Sequence, residues 1–392
     1  MTDPMTHPDT RLLHADQRPG DDSAISPPIA YSATFAADSA EQFAQLAGEP
    51  LPARYYTRYG NPLHRRVATI VAELEGAEAG LVAASGMGAI ASTLLALTRS
   101  GDRVVAQRNH YMGTTRLLAD VLARFGVTTE LVDQTRLEQW RAALSQPAAV
   151  AVLESPTNPN CELTDLAAVC ALAHDAGAIA VVDNTFATPL NQNPIALGAD
   201  VVVHSATKYL GGHHDLTAGV VVGSAAMIER IWDTQIVLGP TLSPMDAWLL
   251  LRGLRTLSVR IERINASAAA VALALQRHPA VESVAYPGLA DHPQHELARR
   301  QMRGGGGVIA MRLRADRAGT ARFVAGLQLA RHAVSLGGVE SLIVHAASMW
   351  SGTLDDAQLA SAGIEPNLVR LSVGLEHPDD LIADLRRSLD SL

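Results

Sequence analysis

What this chain has least of is lysine. Among its 31 lysines and arginines, Lys208 is the only lysine. Solubility, salt bridges and helix ends can all run on guanidinium. An arginine, however, stays protonated at physiological pH, whereas a lysine amine can lose its proton and condense with a carbonyl. Lys208 is therefore either a chemical amine or an ordinary surface residue spared by compositional drift, and its neighbourhood must decide. Cysteine is nearly as scarce. Cys161 and Cys170, without CxxC spacing, leave no disulfide framework or cysteine-rich zinc site and fit a reducing, cytoplasmic compartment. Long apolar runs are missing too: no stretch approaches the ~20 residues of a membrane span. The first twenty residues carry Asp3, Asp9 and Asp16 without an apolar core, so no secretory signal is expected. A net charge of −9 argues against nucleic acid or an anionic membrane as partner.

What is present suits a folded chain with two cores: 392 residues, 48% hydrophobic and 18% charged. Residues 1–60 read as an extended arm rich in Pro, Asp and Ser, with a short helix near Ala40 to Leu46. Residues 61–255 alternate strand and helix and read as a cofactor-binding α/β domain with a mostly parallel sheet. Pro244 to about Gln276 reads as one long linking helix, with Arg252, Arg255, Arg260 and Arg263 as a solvated or subunit-facing stripe. Residues 256–392 read as a smaller α/β domain, with strands near Gly307 to Leu313 and Leu371 to Val373 and a closing helix from Pro378. Gly304 to Gly307 read as a mobile turn.

Lys208 follows Val201-Val-Val, a short β-branched block that predicts a buried strand. Ser205 and Thr207 sit at its exit, and Gly211-Gly212 then breaks the chain. Hydroxyls and an amine just past a strand's C-terminal end lie where open α/β sheets place ligands. Upstream, Ala178-Ile-Ala-Val-Val-Asp predicts a second strand with Asp183 at its exit. Asp183 reads either as a helix cap or turn residue, or as an acid facing the same pocket as Lys208. An acid so placed would keep a pyridine nitrogen protonated, which is what pyridoxal phosphate needs to act as an electron sink.

Ala79 to Ala91 reads as strand, glycine turn and helix. Gly86, Gly88 and Ala91 match G-x-G-x-x-A, so a dinucleotide site and an NAD-dependent oxidoreductase stay open. That fingerprint wants an acid after the next strand, and Arg103-Val-Val-Ala-Gln ends in Gln107 instead. A helix N-terminus also suits a lone phosphate, with Ser205 and Thr207 completing the cradle. Tyr111 can stack on an aromatic ring, and the Asn158 amide can bond a phenolate oxygen. His204, His213, His214 and Asp215 crowd Lys208; packing around the pocket is preferred over a metal site, and no metal is expected.

Taken in order, Thr10-Arg-Leu-Leu-His-Ala, Tyr56-Thr-Arg-Tyr-Gly-Asn-Pro, Ser85-Gly-Met-Gly, Glu154-Ser-Pro-Thr-Asn-Pro, Val182-Asp-Asn-Thr-Phe, Ser205-Ala-Thr-Lys-Tyr, Ser335-Leu-Gly-Gly-Val-Glu and Val369-Arg-Leu-Ser resemble the pyridoxal-phosphate enzymes of Cys/Met metabolism over nearly the whole chain. The resemblance implies an aspartate aminotransferase-like, type I fold and pyridoxal 5'-phosphate as cofactor. It implies that Lys208 forms the Schiff base and shuttles protons, with Tyr111 stacking on the ring and acting as a proton donor. Asp183 would pair with the ring nitrogen, Asn158 with the ring oxygen, and Gly86, Met87, Ser205 and Thr207 with the phosphate. Tyr56 and Arg58 would reach the phosphate of a neighbouring subunit in a homotetramer built as a dimer of dimers. Ser335, Arg370 and Glu340 would meet the amino-acid substrate.

The activity so implied is γ-elimination or γ-replacement on an L-amino acid with a leaving group at Cγ, with a cystathionine γ-lyase-like elimination preferred. A cystathionine γ-synthase-type transferase, a γ-lyase for methionine or a canavanine-like compound, and a catalytically silent cofactor-binding paralogue are the alternatives. Three departures bear on this. Gly113 stands where methionine γ-lyases carry cysteine, which argues against that subgroup. Met112 replaces a usual glycine. Ala346 and Met349-Trp350-Ser351 replace a Pro-containing run ending in Met-Thr-His.

Overall fold

Seven short strands, mostly valine and alanine, form the larger of two sheets. They are β1 (Ala79–Ala83), β2 (Arg103–Gln107), β3 (Thr128–Val132), β4 (Val150–Glu154), β5 (Ile179–Asp183), β6 (Val201–Ser205) and β7 (Gly219–Gly223). The computed structural model describes residues 7–17, 23–350, 359 and 363–392. Strand order is β1-β7-β6-β5-β4-β2-β3, parallel except for β7, which runs antiparallel to both β1 and β6. Every residue of β4 is buried, as expected of a strand covered on both faces. One face packs under helices Pro62–Glu75 and Leu166–Asp175, the other under Gly86–Leu97 and Ala225–Leu238.

The second sheet comprises β8 (Val281–Ala285), β9 (Val308–Leu313), β10 (Arg331–His332), β11 (Leu342–His345) and β12 (Leu368–Ser372), in the order β10-β11-β12-β9-β8. It is antiparallel apart from the β10–β11 pair. Val271 and Leu275 of the helix Leu257–Gln276, with Leu381 and Leu385 of the helix Pro378–Leu389, close its core. The short arm helix runs Ala40–Gly48, capped by Ser39, whose hydroxyl accepts the Gln42 N–H.

The linking helix expected from Pro244 to Gln276 is two helices, Pro244–Leu254 and Leu257–Gln276. The break has a local cause. The Arg260 guanidinium takes the carbonyl of Gly253 at 2.7 Å and the Thr256 hydroxyl at 3.1 Å, and Gly253 abuts the backbone of Gly211. The arginine stripe is likewise only half right. Arg252 and Arg263 are exposed, but Arg260 is buried, and Arg255 turns inward to the buried carboxylate of Asp16 at 2.9 Å.

Gly304 to Gly307 do not form a loose turn. A Cβ at Gly304 would lie 2.5 Å from Asn265 Nδ2, one at Gly305 2.6 Å from the Tyr286 ring, and one at Gly307 2.4 Å from Ile264. Gly306 takes φ +80° instead, so the run is glycine partly for packing and partly for backbone conformation. Nearby, Gln301 binds the first sheet's loops: its Oε1 accepts the Leu166 N–H at 3.0 Å, and its Nε2 donates to Thr164 O at 3.1 Å and Gln192 Oε1 at 2.9 Å.

Candidate active site

β4, β5 and β6 are parallel neighbours, and the register sets Glu154 opposite Asp183 and Asp183 opposite Val203. Their C-terminal ends therefore open side by side into one cavity of about 490 Å³. Lys208, Asp183, Asn158, Tyr111, Ser205 and Thr207 all line it, with Gly86 and Met87 at one end and Ser335 and Arg370 at the other. The two sheets both contribute: Arg370 comes from the middle of β12 and reaches across to the loop after β4.

The turn after β6 closes with the Lys208 N–H on the Ser205 carbonyl at 3.1 Å, which turns the amine back over the strand ends. There Nζ donates to Ser335 Oγ at 2.8 Å. Burial, and then the positive charge of Arg370, bring the Lys208 pKa down to about 8, against the opposing pull of Asp183. Asp183 accepts the Thr185 N–H at 2.9 Å. Burial pushes its carboxyl above the usual range, opposed by its bonds to Thr185 and by the charges of His204 and Lys208. A protonated ring nitrogen beside Asp183 would offset that burial.

Arg370 is buried and has no ion-pair partner among the described residues. Its Nη1 donates to Asn158 Oδ1 at 2.8 Å and its Nη2 to the Ser335 carbonyl at 3.0 Å, while Nε is buried without a partner among the described residues. Burial lowers its pKa. A guanidinium held by neutral groups is a receptor for an anion. Ser335 sits at φ +85°, in the left-handed region a non-glycine rarely adopts.

The helix Gly86–Leu97 aims its N-terminus into the cavity, where its dipole and amides suit a phosphate. A Cβ on Gly86 would stand 2.7 Å from Ser205 Cβ, so only glycine lets this helix end come so close to β6. Thr207 already donates to Ala218 O at 3.2 Å and accepts the Ala218 N–H at 3.0 Å. The donor set, an amine, an acid, a stacking tyrosine and a helix end with hydroxyls, fits pyridoxal phosphate.

Three expected site residues lie elsewhere. Glu340 does not line the cavity; its half-exposed side chain is 4.0 Å from His214. Tyr56 and Arg58 line a separate surface groove with Tyr31 and Thr241, the Arg58 guanidinium lying over the Tyr56 and Tyr59 rings at 5.4 and 4.9 Å. The histidines around Lys208 diverge: His204 bonds Glu75 at 2.7 Å, His213 the Gly211 carbonyl at 2.9 Å, and His214 faces Glu340. Gln107, the residue that spoiled the dinucleotide fingerprint, is buried and brackets the backbone of Glu154 with its amide. The antiparallel β7 between β1 and β6 also departs from a dinucleotide-binding strand order.

Glu154 is a site residue to which the sequence reading gave no role. Its Oε2 accepts the Tyr111 N–H at 2.8 Å and its Oε1 the Asn158 N–H at 3.0 Å, so one carboxylate holds both segments. Burial, then Asp183, raises its pKa well above the usual value. The signal was available: an acid closing an apolar strand, the same pattern that singled out Asp183. Met349 and Trp350 line the cavity, whereas Ser351 lies outside the described residues.

Known proteins resemble the chain along almost all of it. It is 45% identical to an L-methionine gamma-lyase of Pseudomonas putida, over 97% of this chain and 96% of that one. It is 40% identical to an O-succinylhomoserine sulfhydrylase of Pseudomonas aeruginosa, over 98% and 95%. The crystal structure of cystathionine gamma synthase from Xanthomonas oryzae pv. oryzae, in complex with aminoacrylate and cysteine, superposes with a TM-score of 0.93 at 38% identity, covering 98% of each chain. Residues 9–390 match the description Cys/Met metabolism PLP-dependent enzyme, and the chain belongs to that family.

Proposed function

We propose that this cavity carries out γ-elimination, or γ-replacement, on an L-amino acid bearing a leaving group at Cγ. The observation that carries the reading is the meeting, in one cavity, of the chain's only lysine with an acid at a strand end and an arginine that has no acidic partner among the described residues. Relatives named for methionine γ-lyase, O-succinylhomoserine sulfhydrylase and cystathionine γ-synthase support it.

Pyridoxal phosphate, when bound, supplies the electron sink for the pairs leaving Cα and Cβ. The chain's residues do the rest. Lys208 would hold the cofactor and would take the Cα proton; an amine with a pKa of about 8 is suited to both tasks near neutral pH. Asp183 would keep the ring nitrogen protonated, with Tyr111 available to stack on the ring and Asn158 to bond the ring oxygen. Gly86, Met87, Ser205 and Thr207 receive the phosphate. Arg370 and Ser335 orient the substrate carboxylate, which places Cα beside the freed amine. Tyr111 then protonates the departing γ-group. Loss of that group followed by protonation and hydrolysis gives a 2-oxo acid and ammonia; addition of a thiol instead gives replacement.

Elimination is the preferred outcome, and the leaving group is what a substrate panel reads. Gly113 and the relatives point opposite ways. A Cβ there would lie 2.5 Å from both Met87 Sδ and the Tyr111 ring, so a cysteine does not fit without displacing them; the relatives at 39–45% identity nevertheless include several methionine γ-lyases. Tyr56 and Arg58, outside their own chain's cavity, serve the neighbouring subunit in a homotetramer. Mixing Lys208→Ala with Arg58→Ala protein should then regenerate activity that neither has alone.

The deciding experiment incubates the protein with pyridoxal phosphate, reduces with borohydride and maps the peptides. Label on Lys208, lost in Lys208→Ala, is expected. Oxo acid and ammonia should follow from at least one of methionine, cystathionine, homocysteine, an acylated homoserine or an oxyguanidine. A loaded protein silent on the whole panel would favour the catalytically inactive paralogue.

A further inference from the structure

Arg260 is a buried cation that the reaction does not use. It lies within the helix Leu257–Gln276, 4% exposed, and no ion pair with an acid engages it among the described residues. Burial alone brings its pKa down to about 10. Keeping a guanidinium out of water without a counter-charge costs several kcal/mol unless its N–H groups are all well used. Here all three nitrogens donate, and they tie two segments together. Nη1 donates to the Tyr209 carbonyl at 2.7 Å, Nη2 to the Gly253 carbonyl at 2.7 Å, and Nε to Thr256 Oγ1 at 3.1 Å.

Tyr209 is the residue after Lys208. The turn that carries them returns on itself, with the Gly211 N–H on Ala206 O and the Gly212 N–H on Lys208 O, both at 2.8 Å. Gly212, at φ +77°, lays its backbone directly on the guanidinium: a Cβ there would stand 2.2 Å from Nη1. Gly211, from the same turn, abuts Gly253. The planar fork therefore clamps the turn of the reactive amine to the junction of the two linking helices. A flexible ammonium cannot span both carbonyls in this way.

We propose that Arg260 is a positioning residue for Lys208, fixing the turn so that the amine stands over the strand ends at the cofactor's attachment point. This rests on the reading of Lys208 as that attachment point.

The test measures the rate at which the cofactor-stripped protein captures pyridoxal phosphate, followed by borohydride trapping and peptide mapping, with urea unfolding as a separate check on the fold. For Arg260→Met and Arg260→Lys, the rate of label entering Lys208 should fall at least tenfold. The fork that joins the Tyr209 and Gly253 carbonyls is lost in both, so the retained charge of the lysine variant should not rescue it. Thr256→Val, which removes only the Nε contact, should cost less than threefold. Folded Arg260 variants that label Lys208 at the wild-type rate would overturn the proposal, as would full rescue in Arg260→Lys. If both Arg260 variants fail to fold, Gly212→Ala, which pushes on the same guanidinium, takes their place under the same tenfold criterion. Wild-type protein left unlabelled at Lys208 would instead sink the underlying reading of the site.

Discussion

Replacing Arg370 by lysine keeps a positive charge in the cavity and removes the fork, so it separates geometry from electrostatics. Two donors now project from one planar group, Nη1 toward Asn158 Oδ1 at 2.8 Å and Nη2 toward the Ser335 carbonyl at 3.0 Å, and the guanidinium is almost fully buried. A substrate carboxylate received there gains two charge-assisted hydrogen bonds. A lysine supplies one of them. The bond lost is worth about 1.5–3 kcal/mol, and at about 1.4 kcal/mol per factor of ten kcat/KM should fall roughly 10- to 150-fold. Because the carboxylate is held before and during reaction alike, most of the loss should fall in KM. Steady-state kinetics on a γ-substituted amino acid, with the cofactor affinity measured in parallel, reads both quantities. A decrease of less than threefold in kcat/KM, or a decrease traced wholly to lost cofactor, would refute the assignment of Arg370 to the substrate carboxylate. Asn158 and the Ser335 carbonyl also lose a donor in this variant, so the fall should not lie below the range given.

Other outcomes follow from the same geometry. Capture of pyridoxal phosphate by the stripped protein should speed up as pH rises and reach half its maximum near pH 8, because the neutral amine attacks and its pKa is lowered to about 8. Arg370→Ala removes a positive charge that lowers that pKa, so the midpoint should move to higher pH; stopped-flow absorbance reads both profiles. Gly113→Ala places a methyl 2.5 Å from Met87 Sδ and the Tyr111 ring, and should weaken cofactor binding by displacing the ring; a titration unchanged from wild type would count against the stacking role. Asp16→Asn breaks a fully buried carboxylate that holds Arg66 at 3.0 Å and Arg255 at 2.9 Å, and should destabilise the fold by about 3–5 kcal/mol in urea unfolding.

The strands that carry the site were legible because each is a short apolar block ending in a polar residue at a strand exit. That pattern located Asp183, Ser205, Thr207 and Lys208 before any geometry was known, and the cavity contains all four. Gly86 was legible through its place at a strand–helix turn. What stayed hidden depended on contacts distant in sequence. Glu340 sits beside the Ser335 loop in the chain, yet its side chain turns out toward His214. Arg260 looked like one rung of an exposed stripe, since helical spacing cannot tell which arginine meets a carbonyl 51 residues away. The four consecutive glycines suggested looseness; only the packed neighbours of Gly304, Gly305 and Gly307, and the positive φ of Gly306, reveal why larger residues are excluded. The antiparallel β7 was equally invisible, because Gly219-Val-Val-Val-Gly reads the same in either direction of pairing.

Gln301 has a mechanical implication. Its amide is sunk among the loops of the first sheet, bonding Leu166, Thr164 and Gln192 from a helix that lies between two strands of the second sheet. Swinging the C-terminal half outward as a rigid block would strip those buried groups at about 1–3 kcal/mol apiece. Wholesale opening is thus resisted from behind the cavity. Any widening of the cavity would then have to come from smaller adjustments of its own lining, which includes Trp350, Met349 and Val334.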